Sequence, residues 1–243
     1  METIDGTWIM KGCRRTDPDC LRSPEDLLEL IQRVGFLPLF SGTIPGFSVE
    51  EHTPPEAWWT DDFSTDPWAW RQILASNEQV AYGKFFDRKA GFISKAWFPE
   101  FANYRRDGYD YEGMYADGRM PGRNKKLLDA LELNEDAVGL EIMSCDIRKK
   151  AKVEKGFEGA LTDLQMHAFL IMSDFRQKTN RRGEPYGWHV ATLMTPETKW
   201  GYDWVNQSGL SPEASWKRIV SQVKTHFPAA GDRDIQKTLG IRH

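Results

Sequence analysis

The side chains best able to orient water or move a proton lie close together. Glu50, Glu51 and His52 precede Trp58 and Trp59, with Asp61 and Asp62 just after. A carboxylate set among aromatic rings is desolvated, which raises its pKa and fits it to act as a general acid or base near neutral pH. Glu51 and His52, with Asp61 next, are therefore the candidate catalytic groups, and Trp58, Trp59 and Trp68 the candidate walls of a pocket. A plainer reading competes. Acidic loops are mostly solvated surface, and clustered tryptophans mostly build a core or an interface. For the tryptophans the plainer reading is the stronger, although their number is unusual: ten in the chain, five of them between Trp58 and Trp97.

A second group of residues could neutralise phosphates. Between Arg148 and Gly183 nine Lys/Arg stand against four acids, a local charge of +5 in a chain of net charge −4, leaving −9 for the rest. Arg148, Lys149, Lys150 and Lys152 form one run, and Arg176, Lys178, Arg181 and Arg182 another. Such a patch on an acidic protein points to local contact with a nucleic-acid backbone. Thr162, Gln165 and His167 lie between the runs and are the candidate readers of base edges, Gln165 foremost.

Other chemistries find little support. Cys13, Cys20 and Cys145 are an odd number, and Cys13 and Cys20 lack CxxC spacing. Reduced thiols are the expectation, with Cys145 an inert thiol on an apolar helix face. No metal site is expected, and no cofactor, since neither a P-loop nor a dinucleotide fingerprint is present. No apolar run approaches the roughly 20 residues of a membrane span, and the first residues lack the pattern of a signal peptide. A cytoplasmic protein without a membrane partner is the expectation.

The elements that must position these residues are punctuated clearly. Ser23-Pro24-Glu25-Asp26 starts a helix that Gly35 ends. Phe36 to Phe40 then leads into a loop from Ser41 to Pro55. Asp66-Pro67 opens a helix to about Ala75, Val80 to Ile93 reads as two extended pieces turning at Asp87 to Gly91, and a helix runs from Ser94 to about Arg106. Residues 107–122, with Gly108, Gly113, Gly118, Gly122 and Pro121, form the best boundary. Helices are predicted over Lys125 to Leu133, from the Asn134-Glu135-Asp136 cap to about Cys145, and from about Gly156, where Phe157, Leu161, Leu164 and Ala168 repeat at helical spacing. A hairpin with its tip at Asn180-Arg181-Arg182-Gly183 follows and ends at Pro196, and Ser211-Pro212-Glu213 caps a last amphipathic helix. Three helices and a hairpin make a winged helix-turn-helix. The fold expected is α+β: an N-terminal helical, Trp-rich portion (1–120), a winged helix-turn-helix (121–200) and a C-terminal helical tail (201–243).

Three stretches carry a family resemblance. Val34-Gly35-Phe36-Leu37-Pro38-Leu39-Phe40, Gly91 to Phe101 (GFISKAWFPEF) and Leu161 to Pro196 resemble the winged-helix AlkZ-type DNA glycosylases, and especially their shorter AlkZ-related branch. The resemblance implies a double-stranded DNA partner and, for the tryptophans, a pocket for a flipped base. It also exposes a departure. The glycosylases carry a Gln-aliphatic-Gln or Gln-aliphatic-Asp motif after the first helix to position the attacking water, whereas this chain has Pro38-Leu39-Phe40 there. The leading expectation is thus a DNA-binding relative whose hydrolytic motif is lost. The alternatives are an active glycosylase using a loop carboxylate, and a winged-helix scaffold that binds a protein or small ligand.

Overall fold

Ser23 opens the first helix as the sequence predicts: its hydroxyl accepts the Asp26 N–H at 3.1 Å, Pro24 fills the first turn, and Gly35 at φ 88° stops the helix. The structure, a computed structural model, describes residues 2–4, 7–60, 62–132 and 142–241. Within them α1 (Pro24–Val34) buries Leu27, Leu30, Ile31 and Val34. After α1 the chain enters strand β3 (Phe36–Pro38). Asp66 caps α2 (Pro67–Ala75) through the Trp68 N–H at 2.8 Å. Strands β4 (Val80–Phe86) and β5 (Lys89–Ser94) meet at Asp87 and Arg88, both with positive φ, as the tightest hairpins require. Gly91 lets β5 pass close to β3, because a Cβ there would lie 2.6 Å from the Leu37 carbonyl oxygen.

The predicted helix after Ser94 begins as a 3-10 turn at Lys95–Trp97 and continues as α3 (Phe98–Arg106). The glycine-bearing stretch beyond it contains the short helix α4 (Tyr111–Ala116), followed by α5 (Gly122–Glu132). The predicted cap at Asn134-Glu135-Asp136 lies outside the described residues. The helix expected to end near Cys145 is corrected: Ile142–Met143 is strand β6, and a helix begins at Ser144 as α6 (Ser144–Lys150). Arg148, Lys149 and Lys150 therefore form its last turn, where their charge opposes the negative end of the helix dipole. Then come α7 (Phe157–Met166), the hairpin β7 (Ile171–Thr179) and β8 (Pro185–Met194), the short helices α8 (Pro196–Trp200) and α9 (Tyr202–Val205), and the terminal α10 (Pro212–His226) and α11 (Asp232–Leu239).

The sheet is antiparallel, in the order β3-β5-β4-β7-β8-β6, and a separate pair is formed by β1 (Glu2–Ile4) and β2 (Thr7–Ile9). Mixed α and β structure on an antiparallel sheet is what the α+β expectation asked for. Two apolar clusters fill the interior. The larger draws on α1, α2, β3, β4, β5 and α3 together with Ile219, Val223, Ile235 and Leu239 near the C-terminus. The smaller joins Leu127, Leu128 and Leu131 of α5 to Ile147, Phe157, Leu164 and Leu193. Met172 packs against both.

Side chains complete the seam between the clusters where the sheet cannot. Strand β4 pairs with β7 at Tyr82 and Met172. Beyond that pair, the Lys84 N–H donates to Gln165 Oε1 at 2.9 Å, and the Phe85 carbonyl accepts from Arg105 Nη2 at 2.7 Å. Arg105 Nη1 reaches the Met166 carbonyl at 3.1 Å, and Arg106 Nη2 the Ala168 carbonyl at 2.6 Å. Both arginines are buried, and burial lowers the pKa of Arg105. Replacing Arg105 by Met keeps an unbranched apolar stem but removes the guanidinium, which leaves the Phe85 and Met166 carbonyls without its donors. The variant is expected to lose about 3 kcal/mol of stability by denaturant titration; a loss below about 0.5 kcal/mol would show that the seam does not depend on it.

Candidate nucleic-acid interface

The loop carrying the candidate catalytic groups is braced by those same groups. Glu50 is fully buried, and its two carboxylate oxygens accept the N–H groups of Lys11 and Ser41, each at 2.8 Å. Glu51 accepts the Gly46 N–H at 2.9 Å through Oε1 and the Ser48 hydroxyl at 2.6 Å through Oε2. His52 Nε2 lies 2.8 Å from the Gly46 carbonyl. Glu51 and His52 thus both close the turn at Gly46, which leaves neither carboxylate oxygen of Glu51 unengaged. Asp61 lies outside the described residues. Its neighbour Asp62 is exposed and holds the Ser64 and Thr65 hydroxyls, contacts that lower its pKa.

The tryptophans pack chiefly on one another. Trp58 is buried with its indole N–H on Thr53 Oγ1, its ring centroid 5.4 Å from Phe40 and 5.7 Å from Trp59. Trp68 stacks on Phe40 and carries the Arg71 guanidinium 3.7 Å above its ring, with Phe175 of β7 on the guanidinium's other side at 4.4 Å. Trp59 is half exposed, at positive φ, its N–H tied to Asp66. These contacts agree with the plainer reading, an aromatic wall joined through Arg71 to Phe175 of β7.

A cavity of about 220 Å³ lies beside Pro38 and Phe40 and is lined also by Ser41, Asp87, Lys89 and Lys237. It is smaller than the roughly 300 Å³ at which ordinary small-molecule sites begin. None of Glu51, His52, Trp58, Trp59 and Trp68 lines it; His52 instead borders a separate open groove with Arg22, Asp26 and Arg33. The structure therefore does not gather the candidate acid–base groups and the rings around this cavity. Asp87, which sequence reasoning treated only as a turn residue, is the carboxylate that borders it. The signal was local: two adjacent non-glycine residues at positive φ turn the β4–β5 hairpin toward Pro38.

Four of the basic residues are brought together. Arg148, Lys149 and Lys152, at and just after the end of α6, line an open groove of about 670 Å³ with Lys178 of β7, and Glu154, Glu158 and Cys145 share the lining. Lys152, Lys155, Lys178, Arg181 and Arg182 form no ion pair among the described residues. Lys149 reaches Asp146 at 3.5 Å with its side chain 80% exposed, and Arg176 pairs with Asp174 at 3.0 Å. Lys150 is exposed on the same turn of α6.

Helix α7 offers no such surface. Gln165 is 1% exposed, with Oε1 on Lys84 N–H and Nε2 donating to the Leu161 carbonyl. Its expected role as a base reader is corrected, because the amide completes the β4 edge. Thr162 is buried with its hydroxyl on the Glu158 carbonyl. The outward residues of α7 include Glu158 and Asp163, the latter paired with Arg88 at 3.0 Å. Two further corrections concern cysteine. The loop turns Cys13 and Cys20 to a Cα separation of 6.0 Å, within disulfide range, and the two are bonded rather than reduced. Cys145 is half-buried at the rim of the basic groove, not within the core.

A family model described as AlkZ-rel, AlkZ related, matches residues 21–240. Among solved structures the chain is similar to the Streptomyces sahachiroi DNA glycosylase AlkZ, at 11% identity and a TM-score of 0.45, over 91% of this chain and 60% of that one. No curated protein matches the chain.

Two outcomes test the roles given to these side chains. Glu51→Gln is expected to cost about 1–3 kcal/mol in denaturant titration, as a carboxylate bracing a turn should; unchanged stability would free Glu51 for another role. Burial, reinforced by nearby Arg105, holds the His167 pKa below its ordinary 6.5 against the opposing contact to the Asp163 carbonyl. Between that lower value and 6.5 the unfolded chain binds more protons, so stability is complete above 6.5 and falls as pH drops through the window. Thermal unfolding from pH 6.5 downward should show this decline, and His167→Gln should flatten it.

Proposed function

The chain belongs to the AlkZ-related family, and from that premise we propose that it is a winged-helix protein that binds double-stranded DNA through phosphates without excising bases by the glycosylases' mechanism. The observation that carries the reading is the groove in which Arg148, Lys149 and Lys152 face Lys178 of β7. Cations converging from two elements onto one open channel suit a polyanionic backbone better than a small anion. The order α5, β6, α6, α7, β7, β8 supports the winged-helix assignment, with the β7–β8 hairpin as the wing.

The details modify how such a module would sit. A recognition helix that reads the major groove presents polar and basic side chains outward. Helix α7 instead turns Glu158 and Asp163 toward solvent and buries Thr162 and Gln165. Contact is therefore assigned to the last turn of α6 and the wing, which fix position along the duplex and read little sequence directly.

The loss of excision rests on Pro38-Leu39-Phe40. Its backbone is committed, with the Pro38 carbonyl accepting from Val49, the Leu39 carbonyl from Glu50, and the Leu39 N–H donating to Ala90. None of the three side chains can hold a water. One observation favours the alternative of retained excision: Asp87 borders the adjacent cavity.

Titration against labelled duplex at two salt concentrations tests the binding reading. Affinity should fall steeply with salt, and Arg148→Ala with Lys178→Ala should reduce the slope of log K against log salt by about 2. Absence of binding at low salt would sink the DNA reading. Methylated duplex treated with the protein and then alkali should show no strand cleavage; cleavage lost in Asp87→Asn would establish excision from the cavity instead.

A further inference from the structure

We propose that Trp188 is a stacking probe on the wing, which inserts against an unpaired or unstacked base and gives the protein a preference for distorted over perfect duplex. The proposal rests on the reading that the basic groove and wing bind DNA.

Trp188 is 92% exposed, in a chain whose Trp58 and Trp70 are buried. Its exposure follows from the hairpin's register. Arg176 pairs with Val190 and Lys178 with Tyr186, so two residue steps on β7 face four on β8. The surplus forms a bulge at Gly187 to His189, with Gly187 at φ 72° and its carbonyl accepting from Gln177 Nε2 at 3.0 Å. Bulges re-aim side chains, and this one places the indole in solvent. Tyr186, 53% exposed, lies beside it in sequence.

The surroundings say what the ring would meet. Arg181 and Arg182 at the tip and Lys178 below form no ion pair among the described residues. The nearest tip acid, Glu184, is held by Asn180 Nδ2 at 2.8 Å, and Asp174 pairs with Arg176. An exposed aromatic face on a hairpin that also carries unneutralised cations is complementary to a strand of nucleic acid, whose phosphates meet the cations while a base stacks on the ring. Perfect duplex hides its bases from such a ring. A bulged or damaged site offers one at low unstacking cost.

The test compares a perfect duplex with the same duplex carrying one unpaired 2-aminopurine. The wild-type chain should bind the bulged DNA more tightly and quench the 2-aminopurine. Trp188→Ala should lose about tenfold in affinity for bulged DNA with little change for perfect duplex, and Trp188→Phe should retain most of the preference. Arg181→Ala/Arg182→Ala should weaken both DNAs alike. If wild type binds both DNAs equally, or Trp188→Ala keeps the preference, the stacking probe is overturned while phosphate binding stands. If wild type binds neither DNA, the underlying DNA reading falls with it. Trp188-dependent binding to phosphatidylserine vesicles without any DNA preference would also overturn the proposal and make the wing a membrane-surface contact.

Discussion

Two adjacent arginines at the end of α3 hold the two halves of this molecule in register. A helix ends with four carbonyls that have no partner inside it, and burying one unpaired is costly. At the end of α7 each is provided for. Asp163 accepts from the His167 N–H, Leu164 from Phe169, Gln165 from Ala168, and Met166 from the Arg105 guanidinium. Arg106 takes a further buried acceptor, the Ala168 carbonyl, and pairs with Glu197. Arg105 also satisfies the Phe85 carbonyl where β4 parts from β7. The positive charges lie at the negative end of the α7 dipole, so geometry and electrostatics favour the same contact. Because α7 leads directly into the hairpin, whatever fixes α7 also fixes where the wing points.

The same economy explains how the polar residues that look catalytic are oriented. Glu50 and Glu51 stand in a loop with few regular backbone partners, and their carboxylates supply acceptors to the Lys11, Ser41 and Gly46 N–H groups. A carboxylate whose oxygens already accept such bonds has little lone-pair capacity left to meet a substrate. Gln165 is spent likewise on the edge of β4. These side chains replace missing backbone partners, and that need decides their orientation more strongly than proximity to aromatic rings.

What could be read from the sequence divides along the same line. Caps and terminators are local, so Ser23-Pro24 with Gly35, and Asp66-Pro67, located α1 and α2 almost to the residue. The hairpin and its basic tip were equally legible from the period of the strands and Asn180 to Gly183. What escaped was set by partners distant in sequence. The burial of Gln165 depends on Lys84, and the disulfide on how the loop before Cys20 turns. Strand β6 is two residues long and defined by pairing with Leu193 and Thr192, which no local pattern announces. The exposure of Trp188 was hidden for a related reason: a strand period alone cannot reveal a bulge that the opposite strand creates.

Charge then constrains how the proposed complex could be oriented. The stretch from Arg148 to Gly183 carries +5 against −9 elsewhere. The rest of the chain is net repulsive to a polyanion, so the asymmetry would favour approach by the groove and wing before contact. Within the favourable face the outer surface of α7 carries Glu158 and an Asp163 already paired with Arg88, and offers no cation to a phosphate. Phosphates would settle on the cations that the end of α6 and β7 contribute to one groove, rather than along α7. Discrimination between DNAs would then have to come from shape and deformability rather than base edges. An exposed indole on a cationic hairpin is a side chain suited to sensing that property.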